Sequence, residues 1–162
     1  MTLLLKGARV IDPEQNLDKV SDVLVEDGRI KQVGSVQEKK GWSVTDLSGK
    51  MLFPGFIDMH VHLREPGRED KETIKTGSAA AVSGGFTGIA CMPNTEPVND
   101  CETVTRYILE KAEDAGHANV YPVGAITKKS QGKELAEIGE MVKAGAVAVS
   151  DDGRPVQNNQ VM

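Results

Sequence analysis

Four short apolar runs recur about 30 residues apart in the later part of this chain, the spacing of a right-handed β-α-β unit. They are Phe56–Val61, Thr87–Met92, Val120–Ala125 and Ala146–Ser150. The gaps between them read as helices. One runs from about Lys71 to Ser83 and stops at Gly84-Gly85. A second runs from about Glu102 to Ala115 and stops at Gly116, and a third from about Lys133 to Lys143 ahead of Gly145. In the third, Leu135, Ile138, Met141 and Val142 recur at helical spacing, which is ordinary core packing. Strand and helix in strict alternation commit the segment to a parallel sheet covered by helices. Four such strands are half of a (β/α)8 barrel of the TIM type. The stretch from Pro155 to Met162 reads as the approach to a fourth helix.

The first 54 residues follow a different rule. Thr2–Val10, Val20–Glu26, Arg29–Val33 and Ser43–Leu47 are short and rich in Val, Leu and Ile. Asp12-Pro13, Asp27-Gly28, Gly34-Ser35 and Ser48-Gly49 punctuate them, and Asp27-Gly28 between two apolar runs is a strong hairpin signal. The expected fold class is therefore α/β. Residues 1–54 form a small β-sandwich-like segment, and residues 55–162 form the first half of a barrel, truncated. Half a barrel is expected either to belong to a longer protein or to be completed by another copy.

The formal net charge of −5 argues against nucleic acid, which calls for a basic surface. No run approaches the 18 or so apolar residues of a membrane span. The start, Met1-Thr2-Leu3-Leu4-Leu5-Lys6, lacks the pattern of a signal peptide. Cys91 and Cys101 make no disulfide framework and read as free thiols of a cytoplasmic protein.

The chemistry concentrates at strand ends, where barrels place their active groups. In Asp58-Met59-His60-Val61-His62-Leu63-Arg64 the alternation of a strand puts Asp58, His60, His62 and Arg64 on one face. The other face receives Ile57, Met59, Val61 and Leu63. Two neutral imidazoles on one face suit a zinc ion. The fourth strand ends in Ser150-Asp151-Asp152-Gly153. If Val147 and Val149 face the helices, Asp152 rather than Asp151 points inward as the carboxylate ligand. By the same parity Ile89 and Cys91 face the helices, which leaves Asn94 inside. A metal so held would make water a nucleophile near neutral pH. Arg64 has the fork that suits a carboxylate, and Asn94 could complete a carboxylate cradle. Asp58 either supports the strand or contacts the site directly. His117 follows a helix and reads as an ordinary loop histidine.

These motifs together resemble the dihydroorotases of the bacterial class I type, in the amidohydrolase superfamily. The likeness rests on Asp58-x-His60-x-His62-x-Arg64 with Glu65-Pro66-Gly67, on Gly85-Phe86-Thr87, on Met92-Pro93-Asn94-Thr95 and on Asp151-Asp152-Gly153. It runs over essentially the whole chain. It implies a zinc-dependent, reversible cyclisation of N-carbamoyl-L-aspartate to dihydroorotate in pyrimidine biosynthesis, with two zinc ions in the complete enzyme. His60 and His62 would bind the first zinc, and Asp152 would bridge the pair. His62, Arg64 and Asn94 would contact the substrate. The family takes a catalytic aspartate and two more zinc-binding histidines from later strands. No catalytic residue of that kind is therefore expected within these 162 residues, and this piece alone is expected to be inactive and to bind zinc weakly. The resemblance further implies a homodimer, with aspartate carbamoyltransferase as a partner. Two other readings compete: an allantoinase or hydantoinase type of cyclic amidohydrolase, and a non-catalytic relative that partners aspartate carbamoyltransferase. Arg64 weighs against the first, since hydantoins lack the ring carboxylate. The retained His60, His62, Arg64 and Asn94 weigh against the second.

Overall fold

A computed structural model describes residues 1–161. The chain divides into two compact units, Met1–Pro54 and the residues from Gly55 onward.

The first unit holds β1 (Thr2–Asp12), β2 (Leu17–Glu26), β3 (Arg29–Gly34), β4 (Ser43–Asp46) and β5 (Met51–Leu52). All five are joined in one hydrogen-bonded sheet of order β3-β2-β1-β4, with β5 also on β1. β1 is long enough to pair with β4 near its start and β5 near its end, both parallel, so one strand gathers the rest. The expected hairpin forms: Asp27 and Gly28 have φ of 49° and 75°, the left-handed pair of a two-residue turn, between Glu26 and Arg29. Ala8, Val10 and Val23 form the buried core, with Leu5, Leu17 and Leu52 against them.

The second unit alternates as the sequence predicts. Its elements are β6 (Phe56–Val61), α1 (Ile74–Ser83), β7 (Phe86–Cys91), α2 (Glu102–Ala115), β8 (Asn119–Gly124), α3 (Ile138–Ala144) and β9 (Ala148–Val149). The four strands are parallel, in the order β6-β7-β8-β9. Leu63, Ile89, Cys91 and Val120 meet Ile74, Val104 and Ile108 of α1 and α2 in the main core. Gly88 lies on the opposite face, where a β-carbon would touch Tyr121 and Ile57, both exposed. No helix of the described residues is long and apolar enough to cross a membrane.

Most strands shift by a residue or a few from their expected bounds, β9 shrinking to two residues, and the larger departures lie at the helices. α1 starts three residues late because Thr73 caps it: the Thr73 hydroxyl accepts from Thr76 N–H, and Thr76 Oγ1 accepts from Thr73 N–H. Asp70, ahead of the helix, pairs with Arg68 at 3.0 Å. α3 starts at Ile138 rather than Lys133. Residues Glu134 to Ala136 fold back on the chain after β8, with Lys128 N–H donating to Glu134 O and Ala136 N–H to Ile126 O. Leu135 is thus exposed, and Met141 carries the packing of α3. The segment 155–161 forms no helix, only a turn at Asn158–Val161, and Met162 lies outside the described residues.

Burial among α1 and α2 pushes the Cys91 thiol up to about 12. Its thiolate fraction near pH 8 is then about one in ten thousand. Iodoacetamide should leave Cys91 unmodified in the folded protein, as read by peptide mass. Rapid labelling would mean that this helix layer opens readily.

Candidate metal centre

Three strand ends build the site, all at the carboxyl edge of the parallel sheet. β6 delivers His60 and, just past its end, His62. The chain after β7 delivers Asn94, and the chain after β9 delivers Asp152. One ligand atom from each of His60, His62 and Asp152 lies within 4.8 Å of the others. His60 Nε2 is 3.1 Å from Asp152 Oδ1, and His62 Nδ1 is 3.9 Å from Asp152 Oδ2. The two rings meet edge to face with centroids 5.2 Å apart. Asn94 sits between: its Nδ2 donates to Asp152 Oδ2 at 3.1 Å, and its Oδ1 lies 2.9 Å from His62 Nδ1. Two imidazoles and a carboxylate at this separation form a donor set that fits a divalent transition metal.

The face assignment along β6 needs correction ahead of the histidines: Ile57, opposite Gly88, lies on the exposed face and not with Val61 and Leu63, and Asp58 changes sides with it. Asp58 stands opposite Ile89, and Val61 stands opposite Cys91. Three steps on β6 match two on β7, so β6 carries a bulge between Asp58 and Val61. Asp58 therefore shares the helix-facing side with Val61 and Leu63, not the face of the histidines. Its carboxylate accepts the His60 N–H at 3.0 Å and holds the bulge in shape. Asp58 is a support for His60, not a fourth ligand.

The adjacent acids Asp151 and Asp152 divide the work. Asp151 is buried, and its carboxylate accepts from Ile126 N–H at 2.8 Å, Thr127 N–H at 3.0 Å and the Thr127 hydroxyl. That ties the end of β9 to the end of β8. Asp152, with φ of 22° and its N–H donating to Ser150 Oγ, turns the other way toward the histidines. Glu65 plays a similar part beside Arg64. It is buried, accepting from Ile74 N–H at 2.8 Å and from the Tyr107 hydroxyl at 3.1 Å. Desolvation first, and then this bond to Glu65, raise the Tyr107 pKa. Glu65 and Asp151 escape sequence reasoning because their partners are remote in the chain.

Arg64 is half-buried, has φ of 63°, and lines a cleft of about 570 Å3 together with Asn94. His117 lies elsewhere, beside the C-terminal end of α2.

Residues 49–162 match the model of the dihydro-orotase-like family. The dihydroorotase of Geobacter sulfurreducens is 56% identical over 163 residues, covering 100% of this chain and 38% of that protein. That of Syntrophus aciditrophicus is 57% identical over 166 residues, with the same coverage. The chain thus spans about 38% of the length of these curated relatives. Among solved structures, an L-hydantoinase from Arthrobacter aurescens shares the fold with a TM-score of 0.75 at 23% identity, over 91% of this chain and 32% of that one. A D-hydantoinase from Thermus sp. gives 0.64 at 29% identity, over 87% and 30%. The α/β reading, part of a barrel preceded by a small β-rich unit, holds. The motif from Asp58 to Gly67 and the convergence of strands on His60, His62 and Asp152 thus sit in a chain that belongs to the dihydro-orotase-like family.

Proposed function

We propose that this chain supplies one wall of a dihydroorotase, which reversibly closes N-carbamoyl-L-aspartate to dihydroorotate. The observation that carries the reading is the meeting of His60, His62 and Asp152 within 4.8 Å, next to a cleft that Arg64 lines. Identity of 56% to a dihydroorotase along the whole chain supports this substrate over a hydantoin. His60, His62 and Asp152 would hold zinc, with a second zinc expected in the complete site. Bound there, the metal supplies Lewis acidity toward an amide carbonyl and acidifies water. The protein's own part is positioning. Asp58 fixes the His60 backbone, Asn94 spaces His62 from Asp152, and Asp151 anchors the strand end from which Asp152 projects. Arg64 and Asn94 receive the substrate carboxylate, with His62 close enough to touch the substrate. We place the activity in the cytoplasm, in a homodimer, with aspartate carbamoyltransferase as a partner.

The test is ring opening by the full-length protein that carries this sequence, with dihydroorotate, hydantoin and allantoin as competing substrates. Dihydroorotate should be preferred, and activity should vanish on chelation and return with zinc. Faster opening of hydantoin or allantoin would give the site to that other class. Arg64→Met should raise KM for dihydroorotate at least about tenfold, since a charge-assisted bond to a carboxylate contributes roughly 1.5–3 kcal/mol. An unchanged KM would remove Arg64 from carboxylate binding.

A further inference from the structure

After β7 the chain from Asn94 to Val98 lines the cleft and then turns into α2. A surface loop moves unless something roots it. The root here is Asn99. Its side chain is fully buried, a rare place for an asparagine. Asn99 Nδ2 donates to Val123 O of β8 at 3.0 Å, and Oδ1 accepts from the Thr105 hydroxyl of α2 at 2.8 Å. Its backbone N–H donates to Pro93 O at 3.0 Å and closes the loop at its base. Its carbonyl accepts from Ala125 N–H at 2.7 Å, just past the end of β8.

The amide has one workable orientation. Val123 O can only accept, so the NH2 group must face it, and the amide oxygen is left to the Thr105 hydroxyl. That hydroxyl has a single hydrogen. It lies 2.8 Å from Asn99 Oδ1 and 3.4 Å from Cys101 O, so the asparagine is the nearer acceptor. Thr105 is also fully buried, so no water can stand in for it.

These bonds lead to the metal centre by two routes. Pro93 precedes Asn94, whose amide meets Asp152 Oδ2 at 3.1 Å and His62 Nδ1 at 2.9 Å. Ala125 precedes Ile126 and Thr127, whose N–H groups hold Asp151, the neighbour of Asp152. Asn99 thus stands where the ends of β7, β8 and β9 are joined, shut off from solvent and substrate. On its far side the cleft wall is tied to the turn after Arg64, where Glu96 N–H donates to Pro66 O at 2.9 Å. We propose that Asn99 is a positioning residue, its amide oriented by Thr105, that sets Asn94 at the height where one side chain meets both His62 and Asp152. This deepens the dihydroorotase reading and rests on it for the substrate; the effect on the metal centre does not depend on it.

Asn99→Ala would open a cavity and strip both Val123 O and Thr105 of their partner, so the milder Thr105→Val carries the test. It removes one donor and leaves the backbone bonds of Asn99 in place. In the full-length protein Thr105→Val should raise KM for dihydroorotate about fivefold, the factor that one net hydrogen bond represents, and Thr105→Ser, which keeps the hydroxyl, should stay within about twofold of the parent. A double-mutant cycle with Asn94→Ala separates positioning from plain stability. With Asn94 gone, Thr105→Val should raise KM no further, while its cost in denaturant unfolding should be the same in both backgrounds. Zinc affinity, read by competition with a chelator, should weaken in Thr105→Val and show the same dependence on Asn94. An equal factor in both backgrounds, or no change in KM and zinc affinity in Thr105→Val, overturns the proposal. If the parent protein turns over no dihydroorotate, the substrate reading fails, and the cycle in zinc affinity alone decides. A loss confined to proteins that keep Asn94 then supports the positioning role, and an equal loss or none overturns it.

Discussion

His60→Ala should lower zinc affinity by at least about a hundredfold. Loss of a residue that merely supports a ligand already costs roughly 10–100-fold, and His60 is a ligand candidate itself. Its Nε2 faces Asp152 Oδ1 at 3.1 Å, and no other imidazole of the described residues can take its place, since His62 has its own position and His117 lies beside α2. The side chain is 57% exposed, so the substitution should leave the fold intact. Stability and metal binding therefore separate in this variant. Competition against a chromophoric chelator, with metal analysis of the purified protein, reads the affinity. Asp58→Ala should show a smaller loss, about tenfold, because it acts only through the His60 backbone. Zinc content equal to that of the parent in His60→Ala would mean that the cluster is not a metal centre.

Asp151→Ala should cost about 3 kcal/mol of stability and also weaken metal binding. The carboxylate is 4% exposed and satisfies two backbone N–H groups and a hydroxyl. Alanine leaves those donors unpaired in a buried place, where each loses the solvation it would have in water. Asp151→Asn keeps an acceptor for the two backbone N–H groups but turns an NH2 group toward the Thr127 hydroxyl, so it should also destabilise, by less. Denaturant unfolding measures the first effect and chelator competition the second. A change below about 0.5 kcal/mol, the range of a neutral surface substitution, would show that Asp151 anchors nothing.

Much of this arrangement is legible in the sequence, and what is not has a common cause. The alternation of strands and helices follows from local periodicity, and α2 is found from Glu102 to Ala115 as its pattern predicts. Asp152 rather than Asp151 faces the histidines, as parity counted from Val147 and Val149 predicts, although β9 ends at Val149 and the turn at Asp152, with φ of 22°, completes the approach. The same parity misplaces Asp58, since the bulge exists only in the pairing of β6 with β7. Leu135 looks helical by spacing, yet its backbone pairs with Thr127 in an antiparallel bridge, a contact that helix periodicity does not report. β5 is two residues long, too short to leave a pattern. Asn94 is placed on the correct face, but its amide touches His62 and Asp152 directly, which no spacing rule predicts.

The bulge in β6 has a further effect on how the strand can be edited. A flat strand could slip by two residues against its neighbour and keep its inside and outside. With an extra residue on β7 between Phe86 and Gly88 and one on β6 between Asp58 and Val61, the two strands fit each other at a single place. The height of both imidazoles above the sheet edge is thereby counted out in whole residues. An insertion or deletion between the bulge and His62 would carry the imidazole beyond it about 3.3 Å along the strand and undo the meeting with Asp152, even if every side chain were retained.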